Sequence, residues 1–381
     1  MAVFTGTDAD EFITPDTVSA SVTPNNVKPG PGADTINAGG GNDTVAGGGG
    51  NDVVDLGDGD DLFLWMPGDG ADTVAGGSGT DTIAYTALVG TDTLEVSRSG
   101  GSAVITDLSP PVTLTGVEII KLFALTGQDA VFVHDVSGTD VRKVAIDLGA
   151  TAGGAADGEQ DHVYVAGTSG KDKLKLLADG GDVTVKGLAY DITVTGIDGK
   201  LDMLRIDVGA GDDRIKAGDM GKNGPILQVE GGDGNDKLVG GKGGDLLSGG
   251  RGKDVIKGGK GDDELSGGDG RDTLDGGKGS DTFVFTEWTM ASGRDKIVDF
   301  KPGVDIIAIA PEWARQSAML ARDEFRLGTT AKDADDRVLY DKSTGVLRWD
   351  ADGKGGQDAI AFAKVAKGLD LSHKDFAFLI E

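Results

Sequence analysis

From Gly231 to Val284 the chain repeats one nine-residue unit six times, with no insertion or deletion. The unit reads Gly-Gly-x-Gly-x-Asp-x-apolar-x, from Gly231-Gly232-Asp233-Gly234-Asn235-Asp236 through to Gly276-Gly277-Lys278-Gly279-Ser280-Asp281-Thr282-Phe283-Val284. A second block, residues 29–84, holds six more units, interrupted only by the pair Trp65-Met66. Its leading glycine is replaced at Pro29, Ala38, Leu56 and Pro67, yet Gly-x-Asp survives in every unit. The sixth positions are Asp34, Asp43, Asp52, Asp61, Asp72 and Asp81, then Asp236, Asp245, Asp254, Asp263, Asp272 and Asp281. A Gly-rich linker has no reason to hold an apolar residue in fixed phase with an aspartate. Fixed-period units of this length stack as solenoids.

Within a unit, the glycine-rich half is a turn that needs positive φ, and the last three residues are a short strand whose side chains alternate faces. Position eight is always apolar: Ile36, Val45, Val54, Phe63, Val74 and Ile83, then Leu238, Leu247, Ile256, Leu265, Leu274 and Phe283. Burying one such side chain is worth roughly 1.5–3 kcal/mol, whereas fixing each backbone residue costs about 1–2 kcal/mol. Strand hydrogen bonds return only about 0.5–1.5 kcal/mol each, and stacked aspartates repel. A unit therefore does not fold unaided, and a hard cation held by carboxylates and turn carbonyls supplies what is missing. Ligand type alone admits several hard ions, and abundance selects Ca2+. Two units per coil put loop i beside loop i+2 with an ion between them, giving roughly four sites per block.

Composition agrees. The chain has 66 glycines, no cysteine and a formal net charge of −28. Such acidity disfavours nucleic acid, whose phosphates need Lys and Arg, and anionic membrane surfaces. The lack of cysteine removes disulfides, thiolate zinc sites and cysteine nucleophiles. Met1-Ala2-Val3-Phe4-Thr5-Gly6 lacks the features of a signal peptide, and no stretch is apolar for the length of a membrane-spanning helix. Weak calcium sites nevertheless suit the calcium-rich extracellular medium.

The expected architecture is all-β: a right-handed parallel β-helix or β-roll with a C-terminal β-rich cap. Residues 1–28 form a lead-in, in which Gly6 to Ile13 is a worn unit with Glu11 in place of Asp. Residues 29–84 form the first block. Residues 85–230 carry alternating strand patterns and an internal duplication, Asp92-Thr93-Leu94 to Gly116 against Asp172-Lys173-Leu174 to Gly196. Eroded kernels at Asp129, Asp172 and Asp213 point to continued winding with wider coils, and a separate globular β domain is the alternative. Residues 231–284 form the second block. Residues 285–381 hold three of the four tryptophans and, with Phe283, seven of the twelve phenylalanines, enough for a conventional core. There Glu312 to Arg322 is predicted as a short helix, and Val338-Leu339-Tyr340 with Val346 to Trp349 as a hairpin.

The repeats, with Asp281-Thr282-Phe283-Val284-Phe285, Gly293-Arg294-Asp295 to Ile307, and Leu339-Tyr340-Asp341 to Gly353, resemble the RTX, or hemolysin-type, calcium-binding proteins exported by type I secretion. The C-terminal part resembles the module that ends serralysin-type proteases. The resemblance implies multiple calcium ions on the twelve repeat aspartates, a type I exporter as partner, and an uncleaved C-terminal signal, here Asp375 to Glu381. It does not carry over proteolysis. The chain has no His-Glu-x-x-His, and its only histidines are His134, His162 and His373.

No nucleophile elbow or phosphate loop is present. The leading expectation is a non-catalytic, secreted calcium-binding protein with a surface or matrix role. The alternatives are a polysaccharide-active lyase or epimerase using His134, Asp135, Arg142 and Lys143 on the central segment, with cell-surface polysaccharide as its partner, and a membrane-associating exoprotein. Asp350-Ala351-Asp352-Gly353 lacks the remaining ligands of an EF-hand and reads as a plain turn.

Overall fold

The computed structural model describes residues 2–23, 28–107, 110–218, 220, 224–286, 293–310 and 318–379. Among them the chain is all-β apart from one 3-10 turn, His373–Asp375. No helix among the described residues is long and apolar enough to cross a membrane. Two compact units are formed: Met1–Gly167 with Leu177–Leu204 and Asn223–Pro225, and Thr168–Leu176 with Arg205–Lys222 and Ile226–Glu381.

In the first unit, successive nonapeptides alternate between two parallel sheets. Thr35 pairs with Val53 and Val53 with Thr73 on one wall. Thr44 pairs with Leu62 and Leu62 with Thr82 on the other. Two units thus make one coil, and the Trp65-Met66 insertion lengthens one coil without breaking register. Trp65 is fully buried and stacks on Tyr85, with ring centroids 4.0 Å apart. The lead-in strands Val3–Thr5 and Phe12–Ile13 add a coil below, each parallel to the first repeat strand on its wall.

Above the block, parallel winding continues within the first unit. Thr113 pairs with Thr73 and Ile119 with Thr82, both parallel. Ala130 lies parallel between Thr93 and His162, and Lys143 between Ile119 and Asp191. The coils are wider because antiparallel excursions are inserted, such as Thr93–Ser99 against Ser102–Thr106 and Asp182–Lys186 against Asp191–Thr195.

The second unit repeats the scheme. One wall runs in parallel register through Lys173, Arg214, Lys237, Val255 and Thr273. The other runs through Leu246, Glu264 and Thr282. Position eight fills the interior: all twelve predicted core residues are at most 2% exposed. A ladder with open ends would invite further pairing, and residues 295–310 and 318–378 cover it. Ile306–Ala310 adds to Thr282–Thr286, Phe376–Phe378 adds to Ile306–Ala310, and Ala318–Met319 closes that edge antiparallel. Val338–Asp341 and Val346–Trp349 form the expected hairpin. The cap has an aromatic core, with Phe285 edge-on to Phe362 at 5.0 Å and Trp349 edge-on to Phe378 at 6.1 Å. The helix expected over Glu312 to Arg322 lies outside the described residues as far as 317, and Ala318–Met319 beyond it is strand.

The turns stack so closely that glycine is obligatory at some positions. Gly252 has φ +144°, and a methyl group built on it would lie 1.5 Å from the Gly234 carbonyl oxygen one coil below. Gly356 meets nothing within 4 Å. Gly252→Ala is therefore expected to cost at least about 2 kcal/mol. Gly356→Ala is expected to change stability by no more than a few tenths of that. Thermal melts at fixed calcium compare the two.

Candidate metal centre

The sixth-position aspartates form continuous rows down the turns. Each backbone N–H donates to Oδ1 of the aspartate one coil on: Asp34 to Asp52 and Asp43 to Asp61 at 2.7 Å, Asp52 to Asp72 at 2.8 Å, and Asp61 to Asp81 at 2.9 Å. The second block repeats this from Asp236 to Asp254 at 2.7 Å, Asp254 to Asp272 at 2.8 Å, Asp245 to Asp263 at 2.9 Å and Asp263 to Asp281 at 3.3 Å. One carboxylate oxygen is thus committed to the backbone.

The other oxygen is not. Oδ2 of Asp43, Asp52, Asp61, Asp72, Asp81, Asp236, Asp245, Asp254, Asp263, Asp272 and Asp281 is buried and has no hydrogen-bond partner. A carboxylate oxygen in that state is costly unless a cation meets it. Asp34 differs from the other eleven repeat aspartates. Its Oδ2 accepts the Gly30 N–H at 3.2 Å and its Oδ1 the Ala2 N–H at 2.6 Å.

The first-position glycines show what surrounds each free oxygen. A methyl group built on Gly231 would lie 2.8 Å from Asp236 Oδ2 and 2.4 Å from the Gly249 carbonyl oxygen. On Gly240 it would lie 2.2 Å from Asp245 Oδ2 and 2.7 Å from the Gly258 carbonyl, and on Gly249 2.4 Å from Asp254 Oδ2 and 2.6 Å from the Gly267 carbonyl. A carboxylate of one turn and a carbonyl of the next coil face one small space, a donor set of hard oxygens suited to calcium. No group of three or more His, Cys, Asp or Glu side chains gathers as a metal cluster among the described residues. Backbone carbonyls must therefore supply much of the coordination.

Burial, followed by repulsion from the neighbouring carboxylates in the row, raises these acids far above their usual range. Asp245 is pushed up to about 8. Asp72, Asp236 and Asp263 rise to about 7, and Asp43, Asp52, Asp81 and Asp254 to about 6, each partly offset by the backbone N–H it accepts.

The rows extend beyond the nonapeptides. Asp92 N–H donates to Asp129 Oδ1 at 2.8 Å, Asp129 to Asp161 at 2.8 Å and Asp161 to Asp202 at 2.9 Å. In the second unit Asp172 donates to Asp213 and Asp213 to Asp236, both at 2.7 Å. Oδ2 of Asp92, Asp129 and Asp213 is also buried without a partner. The Gly-x-Asp kernels at Gly90, Gly127 and Gly211 were the available signal. Asp161 and Asp202 lack the kernel and could not be found that way. At the row ends the oxygens are satisfied locally. Glu11 accepts the Thr7 N–H at 3.2 Å and the Thr7 hydroxyl at 2.5 Å, Asp172 accepts the Thr168 N–H at 2.8 Å, and Asp305 accepts the Lys301 N–H at 2.8 Å.

Of the residues offered for the catalytic alternative, His134 and Arg142 have partners close by. Its Nε2 meets Glu95 Oε1 at 3.0 Å in a half-exposed pair, and Arg142 donates to the carbonyls of Thr139 and Val141 in its own loop.

The RTX calcium-binding nonapeptide repeat family matches residues 30–63, 68–84, 228–256 and 248–283. The chain carries RTX-type calcium-binding nonapeptide repeats. Its repeats bind multiple Ca2+ ions, and the orphaned Oδ2 oxygens are the atoms that fit them. No curated protein matches the sequence. Among solved structures, the extracellular lipase LipA from Serratia marcescens is similar over 91% of this chain and 38% of its own, at 16% identity and a TM-score of 0.20. This chain thus spans well under half the length of that lipase.

Two expectations follow. Asp254→Asn is expected to lower the calcium bound at saturation by about one or two ions, whereas Asp34→Asn leaves it unchanged; isothermal titration counts them. An acid whose folded pKa is raised destabilises the fold as pH climbs from its ordinary value, near 4, through its folded value. Chelated protein is therefore expected to lose its β circular-dichroism signal as pH rises from about 4 to about 8, and calcium to restore it. Equal signal at both ends of that range in chelator would refute the assignment.

Proposed function

We propose that this is a secreted protein that folds on calcium outside the cell and acts there without catalysis, as a surface or matrix component. The observation that carries this reading is the stack of buried, unpartnered aspartate oxygens along the turns. At cytosolic calcium the rows are ionised and mutually repelling, and glycine-rich coils have the most conformational freedom to lose. The chain then stays extended and threadable. Extracellular calcium fills the turns, and binding free energy becomes folding free energy.

The C-terminal segment supports export before folding. Phe376 is fully buried, and Phe376–Phe378 is a strand of the cap sheet. Just before it, Asp375 Oδ1 accepts the Gly303 N–H and Asp375 Oδ2 closes a capping box with Ser372. An export signal built into this sheet is readable only while the cap is open. Type I secretion, which takes unfolded chains through a channel, fits that requirement.

For the polysaccharide-enzyme alternative, the central segment offers an open hollow of about 480 Å³ lined by Gly90, Thr91, Gly127, Gln128, Asp157 and Glu159, among others. Asp157 already accepts N–H groups from Gly127 and Glu159, both at 2.9 Å.

Limited chymotryptic digestion at neutral pH tests the reading. Cleavage after Phe376 and Phe378 is expected to be rapid in chelator and suppressed at millimolar calcium. Protection of both sites without calcium would overturn it.

A further inference from the structure

The outward face of one sheet in the second unit carries an unusual charge. Position seven of successive rungs reads Lys173, Arg214, Lys237, Val255, Thr273, Lys296 and Lys364, in unbroken parallel register. Position nine reads Lys175, Lys216, Val239, Lys257 and Asp275. Eight cations and one acid share this face, and the acid is already paired with Lys257 at 2.8 Å. The chain as a whole has 36 Lys and Arg against 64 Asp and Glu, so a random sample of its charged residues would be mostly acidic. On the opposite wall, Gln228, Leu246, Glu264, Thr282 and Ile306 with Glu230, Ser248, Ser266, Val284 and Ala308 include no cation, and Arg205 is a single one on an earlier strand of that sheet.

Lys173, Lys175, Arg214, Lys216 and Lys237 are exposed, and among the described residues none forms an ion pair. Like charges facing across adjacent strands cost stability. The aspartate rows do not require them. Each of Lys173, Arg214 and Lys237 follows a row aspartate, but the same rows run with Thr35, Thr44, Val53, Leu246 and Thr282 in that position. The cations therefore serve something outside the chain.

We propose that this face binds a linear acidic polysaccharide bearing one carboxylate per sugar, laid along the solenoid axis. The charges lie in two register rows, spaced about 4.8 Å from strand to strand through Lys173, Arg214 and Lys237 and through Lys175 and Lys216, with uncharged rungs at Val239, Val255 and Thr273; that spacing is close to the advance of one sugar ring along an extended glycan. Seven of the eight cations are lysines, point charges suited to single carboxylates rather than to the bidentate grip on phosphate that favours arginine. No aromatic side chain stands among these positions to stack on bases, as single-strand nucleic-acid sites provide. The surrounding acidity also repels a polyanion as dense as a nucleic acid. The proposal rests on the calcium-folded reading above, because the face exists only when the coils are wound.

The test uses the full chain at saturating calcium, with oligogalacturonates too short to gel, followed by isothermal titration at two ionic strengths. Binding is expected, to weaken as salt rises, and to fall about tenfold or more in Lys173→Gln/Arg214→Gln/Lys237→Gln. A neutral oligosaccharide of equal length is expected not to bind. Circular dichroism of wild type and variant before ligand is added separates failure to fold on calcium from failure to bind. Three results would each overturn the proposal. One is unchanged affinity in the folded triple variant, which would assign binding to calcium bridges at the turns. The others are equal affinity for the neutral glycan and tighter binding to DNA.

Discussion

Eleven of the twelve repeat turns bury a carboxylate oxygen that no group of the chain satisfies. One oxygen is taken by the backbone of the neighbouring coil, as in Asp236 to Asp254 at 2.7 Å. The other has no donor from the chain, and where the first position is glycine, as at Gly231, Gly240 and Gly249, even a methyl group there would collide with it. A diffusible cation is the ligand that completes such a site. The same glycines that make the turn possible make the unfolded chain entropically favoured. Fold and metal dependence thus have a common cause.

This logic explains where the demand for metal stops. At three row ends the residue four before the acid turns its N–H inward, and in two of them a threonine stands where the repeat has its second glycine. Thr7 closes Glu11 and Thr168 reaches Asp172 with both N–H and hydroxyl. Lys301 does the same for Asp305 with its backbone alone. Terminal rungs have no further coil to share an ion with, and these contacts make them self-sufficient. The aromatic cap then supplies the apolar burial that nonapeptide coils lack.

Much of this was legible in the sequence, for a definite reason. A nine-residue period with one apolar position has one good way to bury it, and the twelve position-eight residues are all in the interior. The Val338 to Trp349 hairpin was legible from its Ser-Thr-Gly turn between two largely apolar runs. The central rows were harder. Asp92 meets Asp129 across 37 residues, and Asp129 meets Asp161 across 32. Antiparallel excursions such as Thr93–Ser99 with Ser102–Thr106 make the coil length irregular, so no fixed period reveals the partner. Asp161 and Asp202 keep the geometry of the row without its glycine kernel. What the sequence pattern encodes is the turn, whereas what the fold conserves is the stack.

The division of labour along each unit also bears on how such a scaffold acquires a role. Positions one to six are held by ion geometry and close backbone contact, and position eight by the core. Positions seven and nine point outward and are free of both duties, which is why valine, threonine, glutamate and lysine all occur there in otherwise equivalent coils. Register locks these positions into straight rows, so one substitution repeated from rung to rung becomes a line of like chemistry. In the second unit that line is cationic on one wall and absent from the other. The asymmetry places acid at the turns, where calcium is needed, and positive charge on a wall that the calcium sites leave untouched. An acidic molecule with whole surfaces of opposite sign available can thus hold cations within and meet anions without, using the same repeat for both.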